Sequence, residues 1–268
     1  MAEDSVVNQK VALNQLKHLG YDADVAANGQ EVLDLMGKIN YDLILMDCQM
    51  PIMDGYATTQ AIRQLQSQHQ SQHQSQHQSQ EQTKHTVIVA MTANAMKEDQ
   101  AKCIQIGMDD YLSKPVQKKV LAEKLAYWSQ IIAKMEPNQP SLEVNLMDNA
   151  EINHPEEVSL LIDWDYLHDL SGGNLEFELE LLQTLVENLP IHLEALKTKV
   201  LQNDPLGTER EAHYIKGSCI SIGAIALAEA AKTLECHAHA QDLSESIPLM
   251  LSLEQFFLET QALVQLRS

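Results

Sequence analysis

Apolar positions change their rhythm along the chain, and the changes mark its elements. Val7, Val11 and Leu16 recur at helical spacing, Asp24-Val25-Ala26-Ala27 reads as a strand, and Val32, Leu35, Met36 and Ile39 return to helical period. Leu43-Ile44-Leu45-Met46 is a short unbroken apolar run, as expected of a strand buried on both faces. A turn at Pro51 to Gly55 and a helix to about Leu65 follow it. Val87 to Met91 repeats the buried-strand signature. Beyond it come a helix from about Ala95 to Ile106 that stops at Gly107, a short strand near Asp110 to Leu112, and an amphipathic helix marked by Val120, Leu121, Leu125, Trp128, Ile131 and Ile132. Alternating β and α elements predict a doubly wound parallel sheet over residues 1–135.

The remainder reads differently. Residues 136–160 carry three prolines, several asparagines and no steady period, which is expected of an interdomain linker. From 161 to 268 the pattern is helical throughout. Leu182, Leu185, Leu189, Leu193, Leu196 and Val200 form one stripe, Ala212, Ile215, Cys219 and Ile222 a second, Leu227, Ala231, Leu234 and Ala238 a third, and Leu249, Leu253, Phe256 and Leu263 a fourth. Four such helices with short connections predict an antiparallel bundle. Pro190 lies inside the first stripe, where its missing N–H is expected to kink or split the helix. Residues 67–82, SQHQSQHQSQHQSQEQ, form a four-residue repeat with almost no apolar side chains and are expected to be a surface-loop expansion within the first domain. His69, His73 and His77 would share a helix face able to chelate a transition metal, but the loop reading is preferred because loop-closure entropy grows slowly with length.

Charge separates the halves further. The net formal charge of -20 is concentrated after residue 135, where 6 Lys and Arg face 23 Asp and Glu, against 12 and 15 before it. Such acidity disfavours nucleic acid and anionic membrane surfaces as partners. Cys48, Cys103, Cys219 and Cys236 show no metal-binding spacing, and no leader or 18-residue apolar run is seen, so a cytoplasmic chain with reduced thiols and no membrane insertion is expected.

In doubly wound sheets, function gathers at the carboxyl ends of the strands. Asp47 follows the third strand, Thr92 the fourth and Lys114-Pro115 the fifth, while Glu3-Asp4 stands where the residues after a first strand would be. Three carboxylates, a hydroxyl and an ammonium would share one crevice, and clustered carboxylates resist ionisation unless a cation compensates. Mg²⁺, a hard ion taking carboxylate, carbonyl and water oxygens, suits that set.

EDSVVNQ, LILMDCQMPIMDGY, MTANAM and YLSKP, in that order, resemble the successive signatures of response-regulator receiver domains over residues 1–135. The resemblance implies a flavodoxin-like fold with Asp47 as phosphoacceptor, and Mg²⁺ held by Glu3, Asp4, Asp47 and the Gln49 carbonyl. It also implies that Lys114 pairs with the acyl phosphate and that Thr92 and Tyr111 form the switch pair. A carboxylate attacks phosphorus in line through a loose transition state, so positioning, the metal and one cation suffice.

In the second half, His213 lies one residue off the apolar stripe and is expected to be exposed, with Lys216 and Gly217 one turn on along the same face. Lys216 offers a cation to phosphate, and Gly217 a bare backbone for close approach by another protein. The segment AHYIKGS resembles the phospho-accepting helix of histidine phosphotransfer (HPt) domains, with residues 161–268 as that domain. Together the halves resemble the C-terminal end of a hybrid sensor histidine kinase. The implied function is a phosphorelay carrying a phosphoryl group between Asp47 and His213 and onward to a partner receiver. The implied partners are a sensor histidine kinase as donor and a downstream response regulator. The chain is then a carrier rather than an enzyme, having no Gly-rich ATP-binding segment. A non-catalytic docking scaffold is the alternative.

Only Met1-Ala2 precede Glu3-Asp4, where the receiver family has an apolar central strand. Four or five buried aliphatic side chains contribute roughly 6 to 15 kcal/mol, comparable with a domain's whole net stability. The chain is therefore expected to be a fragment beginning upstream, or a decayed copy whose HPt half alone folds well, with Glu3 and Asp4 poorly held and Mg²⁺ bound weakly.

Overall fold

The computed structural model describes residues 1–73, 85–93, 97–135 and 161–267. They fall into two compact units, Gly29–Ser159 and Met1–Asn28 joined with Leu160–Ser268. The expected linker and His77 lie outside the described residues, as do Ala95 and Met96 at the expected start of a helix.

In the Gly29–Ser159 unit, β1 (Leu43–Asp47), β2 (Val87–Thr92) and β3 (Asp110–Ser113) form a parallel sheet in that order. Leu43 to Asp47 pair with Val87 to Met91, and Val89 to Thr92 with Asp110 to Ser113. All six β2 residues are buried, which accounts for the unbroken apolar run: a central parallel strand has no solvent face on which to place polar side chains. Helices α2 (Gly29–Met36), α3 (Gly55–His73), α4 (Lys97–Ile106) and α5 (Lys118–Met135) complete the unit. Helix α3 continues past Leu65 into the repeat, so the first part of that segment is helical rather than loop. Gln and Ser tolerate a helix well enough for an established one to propagate through them.

The other unit holds α1 (Val6–His18), α6 (Trp164–Ser171), α7 (Leu175–Leu201), α8 (Pro205–Ile220), α9 (Ile225–His239) and α10 (Ser246–Arg267). Side-chain oxygens cap several N-termini: Ser5 accepts from Asn8 N, Asp163 from Tyr166 N, Asn174 from Phe177 N and Asp204 from Gly207 N. The first three stripes are buried as expected, from Leu182 to Val200, Ala212 to Ile222 and Leu227 to Ala238.

Three expectations are corrected here. Helix α7 runs unbroken through Pro190, so the proline does not split it. Leu185, Leu189, Leu193 and Leu196 are buried on both sides of the proline, and their packing outweighs one lost hydrogen bond. The seam of α10 is Met250, Leu253, Phe257 and Val264, one step from the expected Leu249, Phe256 and Leu263, which are only partly buried. That helix is apolar on most faces, so its neighbours choose the seam. Asp24 to Ala27 form no strand: Ala26 makes an isolated parallel bridge with Ala2, with Glu3 N donating to Ala26 O at 3.0 Å.

Candidate functional site

Asp47 closes β1, and Lys114 directly follows β3, after a main-chain bond from Lys114 N to Thr92 O at 2.7 Å. This brings the Lys114 Nζ to 2.8 Å from Asp47 Oδ2, with both side chains nearly buried, at 11% and 6% exposure. Asp47 Oδ1 accepts from Gln49 N at 3.2 Å, so the turn after the strand orients the carboxylate. Gly55 belongs to the same construction. A Cβ there would lie 2.1 Å from the Asp47 carbonyl oxygen, so only glycine lets α3 start this close to the strand end.

Thr92, buried, ends β2 opposite Ser113, and Tyr111 pairs with Ala90 one strand over. The Lys124 ammonium stands 5.4 Å from the centre of the Tyr111 ring. In the other unit, Glu3 is buried, contrary to the expectation of a poorly held residue. Its carboxylate accepts from Asn8 Nδ2 at 2.8 Å, so α1 supplies the hold that a longer strand would otherwise provide.

His213 sits on the middle of α8, off the buried stripe but with its side chain only 19% exposed, less open than its helical position implies. The reason lies on α9. Glu235 Oε1 lies 2.5 Å from His213 Nδ1, and Glu235 Oε2 accepts from Lys216 Nζ at 2.6 Å. Burial pushes the Glu235 carboxyl up, but the bonds from His213 and Lys216 outweigh it and hold the group below the usual carboxylate range. An ionised carboxylate only accepts, so Nδ1 carries the proton, and in the neutral ring Nε2 presents its lone pair. Sequence reasoning missed Glu235. It lies 22 residues away, and no local spacing ties an acidic residue of one helix to a histidine of another.

Helix α1 packs against α7 and α8 in this unit. Val7 and Val11 join the apolar cluster of the bundle, Ser5 Oγ is 2.8 Å from Ser218 Oγ, and Lys10 pairs with Glu180. A Cβ at Gly217 would meet only Asn8 Nδ2, at 3.9 Å, so the bare backbone beside the histidine faces α1. Tyr214 stacks on His192 with ring centres 3.5 Å apart, and burial, with the Asp4 carboxylate adding to it, pushes its phenol up to about 12.

Residues 1–126 match the response regulator receiver domain family and residues 180–265 the Hpt domain family. The chain joins a receiver domain to an Hpt domain. Among curated relatives it is 45% identical over 116 residues to hybrid signal transduction histidine kinase B of Dictyostelium discoideum, covering 43% of this chain and 6% of that protein. It is 28% identical over 217 residues to the sensor histidine kinase GacS of Pseudomonas protegens, covering 81% of this chain and 21% of that protein. A solved receiver domain, that of sensor histidine kinase PA1611 from Pseudomonas aeruginosa with magnesium in its active-site cleft, is 37% identical and covers 47% of this chain and 92% of that one, with a TM-score of 0.39. The chain thus spans a small part of the curated relatives' length. No described helix is long and apolar enough to cross a membrane.

Proposed function

We propose that this chain is a phosphorelay carrier, with Asp47 and His213 as its two phosphoacceptors. The observation that carries the reading is the pairing of each acceptor with a cation and an orienting group: Asp47 with Lys114 and the Gln49 N–H, and His213 with Glu235 and, through it, Lys216. In the first step an Asp47 oxygen bonds to phosphorus as the donor's leaving group departs, and the Lys114 ammonium offsets charge on the equatorial oxygens. In the second, the His213 Nε2 lone pair bonds to phosphorus while the bond to the Asp47 oxygen breaks, returning the carboxylate. The imidazole gains positive character as it does so, and the Glu235 carboxylate against Nδ1–H stabilises it.

The donor set of Glu3, Asp4, Asp47 and the Gln49 carbonyl consists wholly of hard oxygens, which suits Mg²⁺. The ion would neutralise charge on the transferring phosphoryl group. Thr92 and Tyr111 are the proposed switch pair, reporting phosphorylation to the face formed by residues 95–132. Residues 1–135, 136–160 and 161–268 are read as receiver, linker and HPt domain. The donor is a sensor histidine kinase and the acceptor a downstream receiver. The packing of α1 on α7 and α8 beside Gly217 supports docking of a receiver surface on the bundle.

The test is labelling with acetyl phosphate and Mg²⁺. The chain gains an alkali-labile phosphate that Asp47→Asn lacks, and His213→Gln keeps that label while losing the acid-labile, alkali-stable one. Undiminished alkali-labile label in Asp47→Asn refutes the assignment.

A further inference from the structure

Cys48 and Cys103 take no part in that chemistry, yet they meet next to it. Cys48 directly follows Asp47, Cys103 lies on α4, and their sulfurs are 4.0 Å apart, both thiols free and buried. The neighbouring Cys48 thiol, the Tyr56 hydroxyl and the Lys102 ammonium favour the Cys103 thiolate over the opposing burial and Asp99, so of the pair Cys103 ionises more readily than an ordinary thiol.

Helix α4 buries few side chains. Among its described side chains Cys103 alone is buried, Ala101, Lys102, Ile104 and Gln105 being exposed. Lys102 Nζ also lies 4.0 Å from the centre of the Tyr56 ring, on α3. An element with so little buried apolar surface opens locally at low cost, and opening uncovers Cys103 to a small oxidant.

We propose that Cys48 and Cys103 are a modification site: a peroxide joins them in a reversible disulfide that pins α4 to the strand end bearing Asp47 and slows phosphorylation there. The Cys103 thiolate attacks a peroxide oxygen, the O–O bond breaks, and a sulfenic acid and hydroxide result, the hydroxide becoming water with the proton the Cys103 thiol had released. The Cys48 sulfur then attacks the Cys103 sulfur, the S–O bond breaks, and the departing hydroxide leaves as water with the Cys48 proton. Two thiols are oxidised and one hydrogen peroxide is reduced to two waters. The effect on phosphorylation rests on the relay reading, since it requires Asp47 to be the acceptor, whereas the disulfide itself does not.

The experiment treats the full chain with hydrogen peroxide, alkylates remaining thiols in denaturant, and maps peptides without reduction. A linked Cys48–Cys103 peptide pair is expected that dithiothreitol removes and that Cys103→Ser and Cys48→Ser both lack. Acetyl phosphate labelling of the oxidised chain is expected to slow about tenfold, within the range of ordinary coupling energies, and to recover on reduction. Cys103→Ser labels at one rate with or without peroxide. Full alkylation of Cys48 and Cys103 after peroxide, or oxidation confined to exposed Cys236, overturns the site. A linked pair with unchanged labelling overturns its role. Absence of label even in the reduced chain refutes the relay reading and leaves peptide mapping to decide the disulfide.

Discussion

Replacing Glu235 tests how His213, the proposed phosphoacceptor, is held. The carboxylate bonds His213 Nδ1 at 2.5 Å and Lys216 Nζ at 2.6 Å, with the three side chains only 17 to 19% exposed. Hydrogen bonds to charged groups are worth about 1.5 to 3 kcal/mol, and partial exposure places this pair in the lower part of that range. Glu235→Ala removes the support for positive charge on the ring and frees it to turn. If that support is fully expressed in the transition state, transfer to His213 slows by about tenfold to a hundredfold. Glu235→Gln can still accept from Nδ1–H but places an amide beside Lys216, so it falls between Ala and Glu. The assay is single-turnover transfer from a phosphorylated receiver to each variant, with circular dichroism to confirm equal helicity. Rates for Ala and Glu within twofold of each other would refute the reasoning. The sign with pH follows from the depressed Glu235 pKa: the stabilisation is complete above the ordinary carboxylate value of about 4.3 and is lost as pH falls through the lower folded value.

Lys114→Ala is expected to slow Asp47 labelling by acetyl phosphate at least about tenfold, since it removes the cation 2.8 Å from the acceptor oxygen. Unchanged labelling would dismiss Lys114. Gly55→Ala, whose Cβ meets the Asp47 carbonyl oxygen at 2.1 Å, should abolish the Asp47 label while the bundle keeps its helicity, a pair of readouts obtained from labelling and far-UV circular dichroism. Leu196→Ala, fully buried on α7, should cost the bundle about 2 to 5 kcal/mol in urea unfolding, and a loss under 1 would mean that its site collapses without a cavity. Val11→Asp sets a carboxylate in the apolar cluster where α1 meets the bundle and should leave more of α1 open to amide hydrogen exchange, with α9 unaffected.

Much of this protein is settled locally. β1 and β2 are legible because a strand buried on both faces must be apolar at every position, and the meeting of Asp47 with Lys114 is legible because strand ends in parallel sheets converge. The face of α8 bearing His213, Lys216 and Gly217 follows from helical period alone. Long-range choices are another matter. Glu235 reaches His213 from the next helix, Asn8 of α1 fills the space opposite Gly217, and Cys48 meets Cys103 across 55 residues. The seam of α10 and the continuity of α7 through Pro190 are of the same kind. Periodicity states which side of an element is buried. Which residue of another element covers it depends on packing, since hydrogen bonds and side-chain contacts form between whatever groups the fold brings within reach.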